Sequence, residues 1–333
     1  MLYYIKISLN IIDYYMIKNK SKSIYTLIAL LSITLFIINP SSCMDATTNG
    51  LKVWLINVVP ALFPFFILTR IISTLNQTSI TALDKFTNRF FKTNNAGLVY
   101  FLSMLSGYPV GAKIIGNYYN MGVLDKSTAS KMFSFCSTSG PMFIVGTVGI
   151  GVFGNASVGY ILLVGHIMGG FFNGILYRNK PTSTYYTPTK TVKTSLNDIV
   201  YDSIISILLV GGYIVFASVI IELLTITNIL PALASTLSKI PYFNYDAVYG
   251  FLCGIIEITN GLIYIGGSSI SITSKIIISS IIISFSGICI LLQSLAFLNK
   301  TGISKRTMIQ QKLTQTLFSM IFTCLIVFIT NFN

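Results

Sequence analysis

The chain has 333 residues, of which 53% are hydrophobic and only 9% are charged, and its formal net charge is +13. Soluble domains carry roughly 25% charged residues, so this composition excludes an ordinary soluble protein and favours a protein of the lipid bilayer. The Lys and Arg residues lie between apolar segments and form no basic domain, which excludes nucleic acid as a partner. The five cysteines show no pairing or ligand spacing, so we expect neither a disulfide framework nor a metal site.

The N-terminal region, residues 1–49, combines several lysines with an apolar stretch at residues 24–39. The pattern is similar to a signal peptide, but the residues that follow Asn39 offer no Ala-x-Ala cleavage site. We therefore predict a basic N-terminal segment followed by a retained first transmembrane helix.

An internal repeat organises the rest of the chain. Residues 101–111 align on residues 251–261 without a gap, at an offset of 150 residues. The predicted domains are a first repeat at residues 50–178, an inner loop at residues 179–196 and a second, inverted repeat at residues 197–333.

Each half is predicted to contain the same elements in the same order. These are an opening span, a connector at the membrane surface, an interrupted hairpin, an interrupted helix and a closing span. In the two halves, the opening spans are predicted at 51–73 and 199–224, the connectors at 75–95 and 228–243, the hairpin interruptions at 107–111 and 257–261, the broken helices at 131–151 and 273–298, and the closing spans at 156–177 and 309–331.

Charge counting supports an inverted second copy. With the lysine-rich N-terminus inside, the predicted inner loops hold most of the basic residues, including Lys126, Lys131 and Lys312, whereas the main outer loops hold only Lys52 and Lys239. If neither hairpin crosses, the chain makes seven crossings and ends outside. Inverted repeats with broken helices are typical of secondary transporters, because the breaks expose helix ends near the bilayer midplane.

Two charged residues stand out in the hairpins. Glu257 is one of two glutamates in the chain, and a carboxylate at the centre of an apolar segment costs roughly 2.5–3.5 kcal/mol on insertion. It could bind a coupling cation or proton, contact a polar group of a substrate, or be a neutral acid hydrogen-bonded within the bundle. Lys113 could neutralise an anionic substrate, pair with Glu257, or extend towards the inner surface.

Hydroxyls, glycines and prolines fill the remaining breaks. Ser137, Thr138 and Ser139 precede Pro141, so the second part of this broken helix is predicted to begin with hydroxyls and free backbone N–H groups, which can bind an anion or simply cap the helix. The glycines and prolines could equally be kinks stabilised by neighbouring helices. The predicted substrate-binding residues are Gly107, Tyr108, Pro109, Gly111, Lys113, Ser137, Thr138, Ser139, Gly140, Pro141, Glu257, Thr259, Asn260, Gly261, Ser286 and Gln293.

The first closing span contains the only histidine, His166, which we predict to be packed and hydrogen-bonded. Glycine pairs at 165 and 169 and at 170 and 174 predict close helix packing there. The sequence has no phosphate-binding loop, zinc-protease helix or triad spacing. We therefore expect no catalytic residue and no enzyme activity, and no cofactor beyond a coupling proton or cation.

Three motifs resemble a known family. Residues 106–113 (SGYPVGAK), 135–141 (FCSTSGP) and 257–261 (EITNG) are similar to those of the sporulation integral membrane proteins with paired nucleoside-recognition, or gate, domains, the stage V sporulation dipicolinate transporters. The resemblance runs from about residue 50 to residue 300. It implies an all-α polytopic fold of two inverted repeats with re-entrant hairpins and broken helices, similar to concentrative nucleoside transporters.

The resemblance also implies a location and a solute. The location is the mother-cell-derived membrane around the forespore, and the solute is dipicolinic acid, an aromatic dicarboxylate that Lys113 and Tyr108 would suit. Glu257 would repel this dianion unless it is protonated or paired. A cation-coupled nucleoside transporter of the same fold and a non-transporting scaffold in spore-envelope assembly remain alternatives. We expect the bilayer and a small anionic solute as partners, with a homo-oligomer as a further possibility.

Overall fold

A computed structural model of the chain describes residue 24 and residues 26–74, 81–179, 195–241 and 243–332. These residues form helices, turns and short irregular segments, with no β-strand among them. The predicted basic segment at residues 1–23, most of the predicted inner loop and the start of the first connector lie outside the described residues.

The first part of the chain forms a nearly continuous helical stretch. Helix α1 (Thr26–Ile38) is followed by α2 (Pro40–Lys52), which continues through a π-helical turn at Val53–Val58 into α3 (Val59–Thr74). Pro40 lies at the start of α2, where proline is tolerated because the N–H groups of the first turn have no partner within the helix. The first repeat was predicted to begin at residue 50, but the structure shows no interruption there.

The remaining helices follow the predicted order in both halves. In the first half they are α4 (Thr81–Phe91), α5 (Gly97–Ser106), α6 (Val110–Asn120), α7 (Lys126–Cys136), a π-helical segment (Met142–Val152) and α8 (Ala156–Leu176). In the second half they are α9 (Leu196–Ile226), α10 (Ile229–Leu237), α11 (Tyr245–Ile256), α12 (Ile258–Gly267), α13 (Ile272–Phe285), α14 (Gly287–Leu298) and α15 (Lys305–Thr330).

The hairpins are interrupted where the sequence predicts. Helix α5 ends at Ser106 and α11 ends at Ile256, so the two breaks are separated by the 150 residues of the sequence offset. Gly107 ends α5 with a φ of +75°, a conformation that favours glycine. Glu257 instead has an extended backbone and caps α12 with its side chain.

The second interruptions divide the broken helices. Residues 137–140 separate α7 from the π-helical segment, and Ser286 separates α13 from α14. Ser286 has a φ of +72°, which is uncommon for a residue other than glycine. Both broken helices therefore carry a non-helical segment in the middle of an apolar stretch.

The directions of equivalent helices show that the two halves are inverted. Helices α8 and α15 close the two halves, and Gly165 packs on Thr323 whereas Gly169 packs on Ser319. As the number rises along α8 it falls along α15, so the two helices are antiparallel. These contacts also confirm the close packing that the glycine spacing predicts.

Among the described residues, five helical stretches are long and apolar enough to cross a bilayer. They are Pro40–Ile72, Ala156–Leu176, Leu196–Ile226, Ile272–Thr301 and Lys305–Thr330. They coincide with five of the predicted crossings. The other two predicted crossings contain the shorter apolar helices Thr26–Ile38 and Met142–Val152 among the described residues.

Two of the lysines counted with the inner loops are buried within helices. Lys131 is in α7, and its Nζ donates to the carbonyl of Lys92 at 2.9 Å. Lys312 is in α15, and its side chain is 1% exposed. The loop assignment was wrong for both because their ammonium groups find oxygen acceptors inside the bundle.

Candidate functional site

A cavity lies where the breaks of the two halves meet. The space within its outline is about 430 Å³ when solvent at its open mouth is included, and the centre of a water molecule can reach about 40 Å³ of it. Both halves contribute to its wall, which is largely apolar with a few polar groups. The lining residues are Val58, Leu62, Tyr108, Ser139, Gly140, Phe143, Val210, Ile214, Glu257, Ile258, Thr259, Ile290 and Gln293.

Six of the predicted binding residues line this cavity: Tyr108, Ser139, Gly140, Glu257, Thr259 and Gln293. They come from one hairpin and one broken helix of each half. A small number of polar groups in a mainly apolar wall is the usual composition of a small-molecule site. The breaks, which lie far apart in sequence, thus meet at one cavity.

Glycines allow the hairpins to pack directly on the broken helices. A Cβ atom at Gly107 would lie 2.3 Å from the backbone nitrogen of Gly140, and one at Gly111 would lie 2.1 Å from the carbonyl oxygen of Cys136. In the second half, a Cβ atom at Gly287 would lie 3.1 Å from the carbonyl oxygen of Gly254. A larger residue at Gly107 or Gly111 would push the first hairpin away from the site.

Glu257 is buried at the N-terminus of α12 and is 2% exposed. Its Oε2 accepts a hydrogen bond from the backbone N–H of Asn260 at 2.8 Å, and its Oε1 accepts one from the Thr259 hydroxyl at 3.2 Å. The positive end of the helix dipole stabilises a carboxylate in this position. The Asn260 side chain donates to the Ser218 hydroxyl at 2.9 Å, which ties the second hairpin to α9.

Lys113 does not pair with Glu257. Its ammonium group donates to the Ser206 hydroxyl on α9, close to the salt bridge between Arg70 and Asp202. The proposed pairing was wrong because α6 directs this side chain towards α9. Lys113 is also not among the cavity-lining residues.

His166 connects the breaks of the two broken helices. Its Nε2 accepts the backbone N–H of Ser139 at 2.8 Å, and its Nδ1 lies 2.9 Å from the Ser284 hydroxyl. In the neutral ring that accepts at Nε2, the proton is on Nδ1 and is donated to Ser284. The structure confirms that His166 is packed and hydrogen-bonded. The backbone N–H of Ser139 was predicted to be free, but it donates to His166.

Lys312 is a buried lysine beside the site that was not among the predicted binding residues. Its Nζ donates to the Tyr108 hydroxyl at 2.7 Å, to the carbonyl of Ser137 at 3.0 Å and to the Gln315 side-chain oxygen at 2.7 Å. A sequence signal was present, because polar residues recur every three or four positions along α15 and mark one buried face. The residues of this face are Gln311, Lys312, Gln315, Ser319 and Thr323.

The other predicted residues lie around the cavity without lining it. Thr138 donates weakly to the carbonyl of Ser103 at 3.4 Å, and a Cβ atom at Gly261 would lie 2.2 Å from the Cα atom of Gly254. The Ser286 hydroxyl is buried and has no hydrogen-bond partner within the described part of the chain, and the same holds for the side-chain oxygen of Gln293, which does line the cavity. Pro109 and Pro141 immediately precede the second helical parts of their elements.

The fold and the cavity between the halves define a class of protein. This chain is a multi-pass, all-helical integral membrane protein with the fold of a concentrative nucleoside transporter. It is similar to the solved structure of CNTnw in an inward-facing substrate-bound state, with a TM-score of 0.51, 15% identity, and coverage of 93% of this chain and 86% of that chain. Because the sequence identity is only 15%, this similarity is evidence for the fold alone.

A curated relative is similar in sequence. The sporulation integral membrane protein YlbJ of Bacillus subtilis (strain 168) is 29% identical over an alignment of 322 residues. The match covers 86% of this chain and 78% of the relative. No family model matches the chain. The relationship therefore links this chain to a membrane protein of sporulation.

Proposed function

We propose that this chain moves dipicolinate across the mother-cell-derived outer forespore membrane during sporulation. Three observations support the proposal: the cavity between the inverted halves, the similarity to a sporulation membrane protein, and the motifs at residues 106–113 and 135–141. The cavity carries most of the argument, because it is formed by the predicted breaks of both halves.

The wall of the cavity fits a small aromatic solute with polar substituents. Apolar side chains such as Phe143, Ile214 and Ile290 can pack against a ring, and polar groups of Tyr108 and Gln293 can contact its substituents. The oxygen of Gln293 has no hydrogen-bond partner among the described residues, and a buried unpaired acceptor costs about 1–3 kcal/mol, which a solute with a donor, such as a protonated carboxyl group, would remove. A protein that served only as a scaffold would gain nothing from this arrangement.

The inverted halves also provide a mechanism. Two hairpins approach the cavity, one from each half, and each packs on a broken helix. Small displacements of one half against the other would open the cavity to one side of the membrane and close it to the other. Glu257, at the tip of the second hairpin, is the group best placed to bind a coupling proton or a polar group of the solute.

Nucleoside transport is the second candidate, and the similarity to CNTnw favours it. A nucleoside is neutral, and its hydroxyl groups could donate to the Glu257 carboxylate and the Gln293 amide. The two candidates differ in the charge of the solute. Uptake of labelled uridine and of dipicolinate by the same cells separates them.

A deletion strain tests the proposal in sporulating cells. Dipicolinate is measured separately in mother cells and in purified spores, with either the wild-type chain or Glu257→Gln restored. We expect spores of the deletion strain to lack dipicolinate while the mother cells retain it, and we expect only the wild-type chain to restore it. Glutamine can still accept the N–H of Asn260, so this variant should reach the membrane in normal amount.

Two results would overturn the proposal. Normal dipicolinate in spores of the deletion strain would show that the chain does not supply it. Full rescue by Glu257→Gln, at equal protein level, would favour the scaffold alternative.

A further inference from the structure

Lys312 places an amino group inside the membrane-spanning bundle without a carboxylate partner. It lies in α15, is 1% exposed, and its Nζ donates to the oxygens of Tyr108, Ser137 and Gln315. Among the residues that the structure describes, no acidic side chain forms an ion pair with it. Such a group is costly to bury and usually marks a functional site.

The hydrogen bonds of Lys312 satisfy its donors but leave its charge. An ammonium group has three N–H donors, and the three oxygens match them in number. All three oxygens belong to neutral groups, so none of them balances the charge that Lys312 carries when it is protonated. His166, which bridges the two broken helices nearby, is an imidazole and supplies no compensating negative charge.

Tyr108 connects this charge to the cavity. Its hydroxyl oxygen accepts from Lys312 at 2.7 Å, and the residue lines the cavity wall. The hydroxyl proton has only a long contact, 3.5 Å, to the carbonyl oxygen of Ile283. A phenol that accepts from a cation is a stronger donor, because hydrogen bonds in a chain polarise one another. This proton can therefore turn to a carboxylate in the cavity at little cost.

We infer that Lys312, acting with Tyr108, makes the cavity selective for carboxylate anions over neutral solutes of the same size. The inference rests on the proposed function in that it assigns the charge of the transported solute. Lys312 supplies the long-range attraction, and the Tyr108 hydroxyl supplies the direct contact. A dicarboxylate would complete the charge balance that the protein leaves open.

Binding to the purified full-length chain in detergent tests this inference. Thermal unfolding is followed with two dianions, dipicolinate and isophthalate, and two neutral compounds, pyridine-2,6-dicarboxamide and uridine. A ligand stabilises the protein according to its affinity, so each dissociation constant follows from the concentration dependence of the midpoint. The variants are Lys312→Gln, Lys312→Arg, Tyr108→Phe and the control Lys275→Gln. Lys275 also donates to a backbone carbonyl, that of Gly266 at 2.7 Å, but it is not at the cavity.

The wild-type chain is expected to prefer the dianions, and Lys312→Gln to lose that preference. Two opposite unit charges about 6 Å apart, at an effective dielectric constant of about 20, attract each other with an energy that corresponds to a roughly 100-fold change in affinity. Lys312→Arg should keep most of the preference and Lys275→Gln all of it. Tyr108→Phe keeps the ring and should weaken dianion binding by about tenfold, which provides a second test if Lys312→Gln does not fold.

The outcomes separate this inference from the proposed function. Equal losses for dianions and neutral compounds in Lys312→Gln would show a structural role and overturn the inference. An unchanged ratio would overturn it as well. If the wild-type chain binds isophthalate but not dipicolinate, and Lys312→Gln loses isophthalate, the proposed solute is wrong and the inference stands.

Discussion

The contact between Gly169 of α8 and Ser319 of α15 gives a quantitative stability prediction. A Cβ atom at Gly169 would lie 1.9 Å from the Ser319 hydroxyl oxygen and 2.7 Å from both its Cα and backbone nitrogen atoms. The hydroxyl could rotate away, but the backbone of α15 can yield only if the two closing helices separate. Overpacking of this kind costs about 1–3 kcal/mol, and Gly169→Ala should lie in the upper part of that range.

Thermal unfolding in detergent measures this effect. One kcal/mol shifts the midpoint by about 2–4 °C for domains of 150–250 residues, so we expect Gly169→Ala to unfold several degrees below the wild type. Gly212→Ala in α9 is the matched control, because a Cβ atom there would meet nothing within 4 Å. Its midpoint should be unchanged or slightly higher, since alanine favours the helix. Equal midpoints for the two variants would refute the packing of α8 on α15.

Three other changes test the breaks and the topology. Gly107→Ala should reduce the yield of monodisperse protein, because the backbone at Gly107 has a φ of +75°. Gly267→Ala is the control and should not reduce the yield, because a Cβ atom there would meet nothing within 4 Å. Equal yields would contradict the hairpin geometry. His166→Leu should lower stability by about 1–3 kcal/mol for the buried groups it leaves unpaired, measured by thermal unfolding, and no loss would contradict the bridge between the broken helices. Cysteines introduced at Asn155 and Ser304, which cap α8 and α15, should react from opposite sides of the membrane, and labelling from one side would contradict the inversion.

The order of the elements and the positions of the breaks could be predicted from the sequence. Long apolar stretches define the spans, and a group such as Gly107 or Glu257 within an apolar stretch requires an interruption or a partner. The offset of 150 residues then assigned corresponding breaks to the two halves, and the structure places them at Ser106 and Ile256. These features are local in sequence, which is why composition and periodicity revealed them.

The surroundings of the lysines could not be predicted in the same way. Lys312 meets oxygens from Tyr108 and Ser137, more than 170 residues away in sequence, and only the packing of α15 against the first half brings them together. Counting charges treats every lysine as a loop residue. The pairing of Lys113 with Glu257 was wrong for a related reason, because closeness to a break does not determine which neighbour a side chain faces.

Proline at a helix start explains another difference between the prediction and the structure. The first helix was predicted from an apolar stretch that ends at Asn39, and the opening span was predicted to begin at residue 51. Pro40 in fact begins α2, which continues into the opening span as far as Ile72. Proline is compatible with the first helical turn, so its presence alone does not distinguish a loop from a helix start.

Uptake of dipicolinate by proteoliposomes that contain the purified full-length chain tests the central claim most directly. Terbium enclosed in the liposomes reports dipicolinate that enters, by luminescence of the complex, and protein-free liposomes and Glu257→Gln serve as controls. We predict saturable entry that requires the wild-type chain and is slowed by excess isophthalate. Entry at the rate of protein-free liposomes, both with and without an imposed pH or sodium gradient, would contradict the claim that this chain transports dipicolinate.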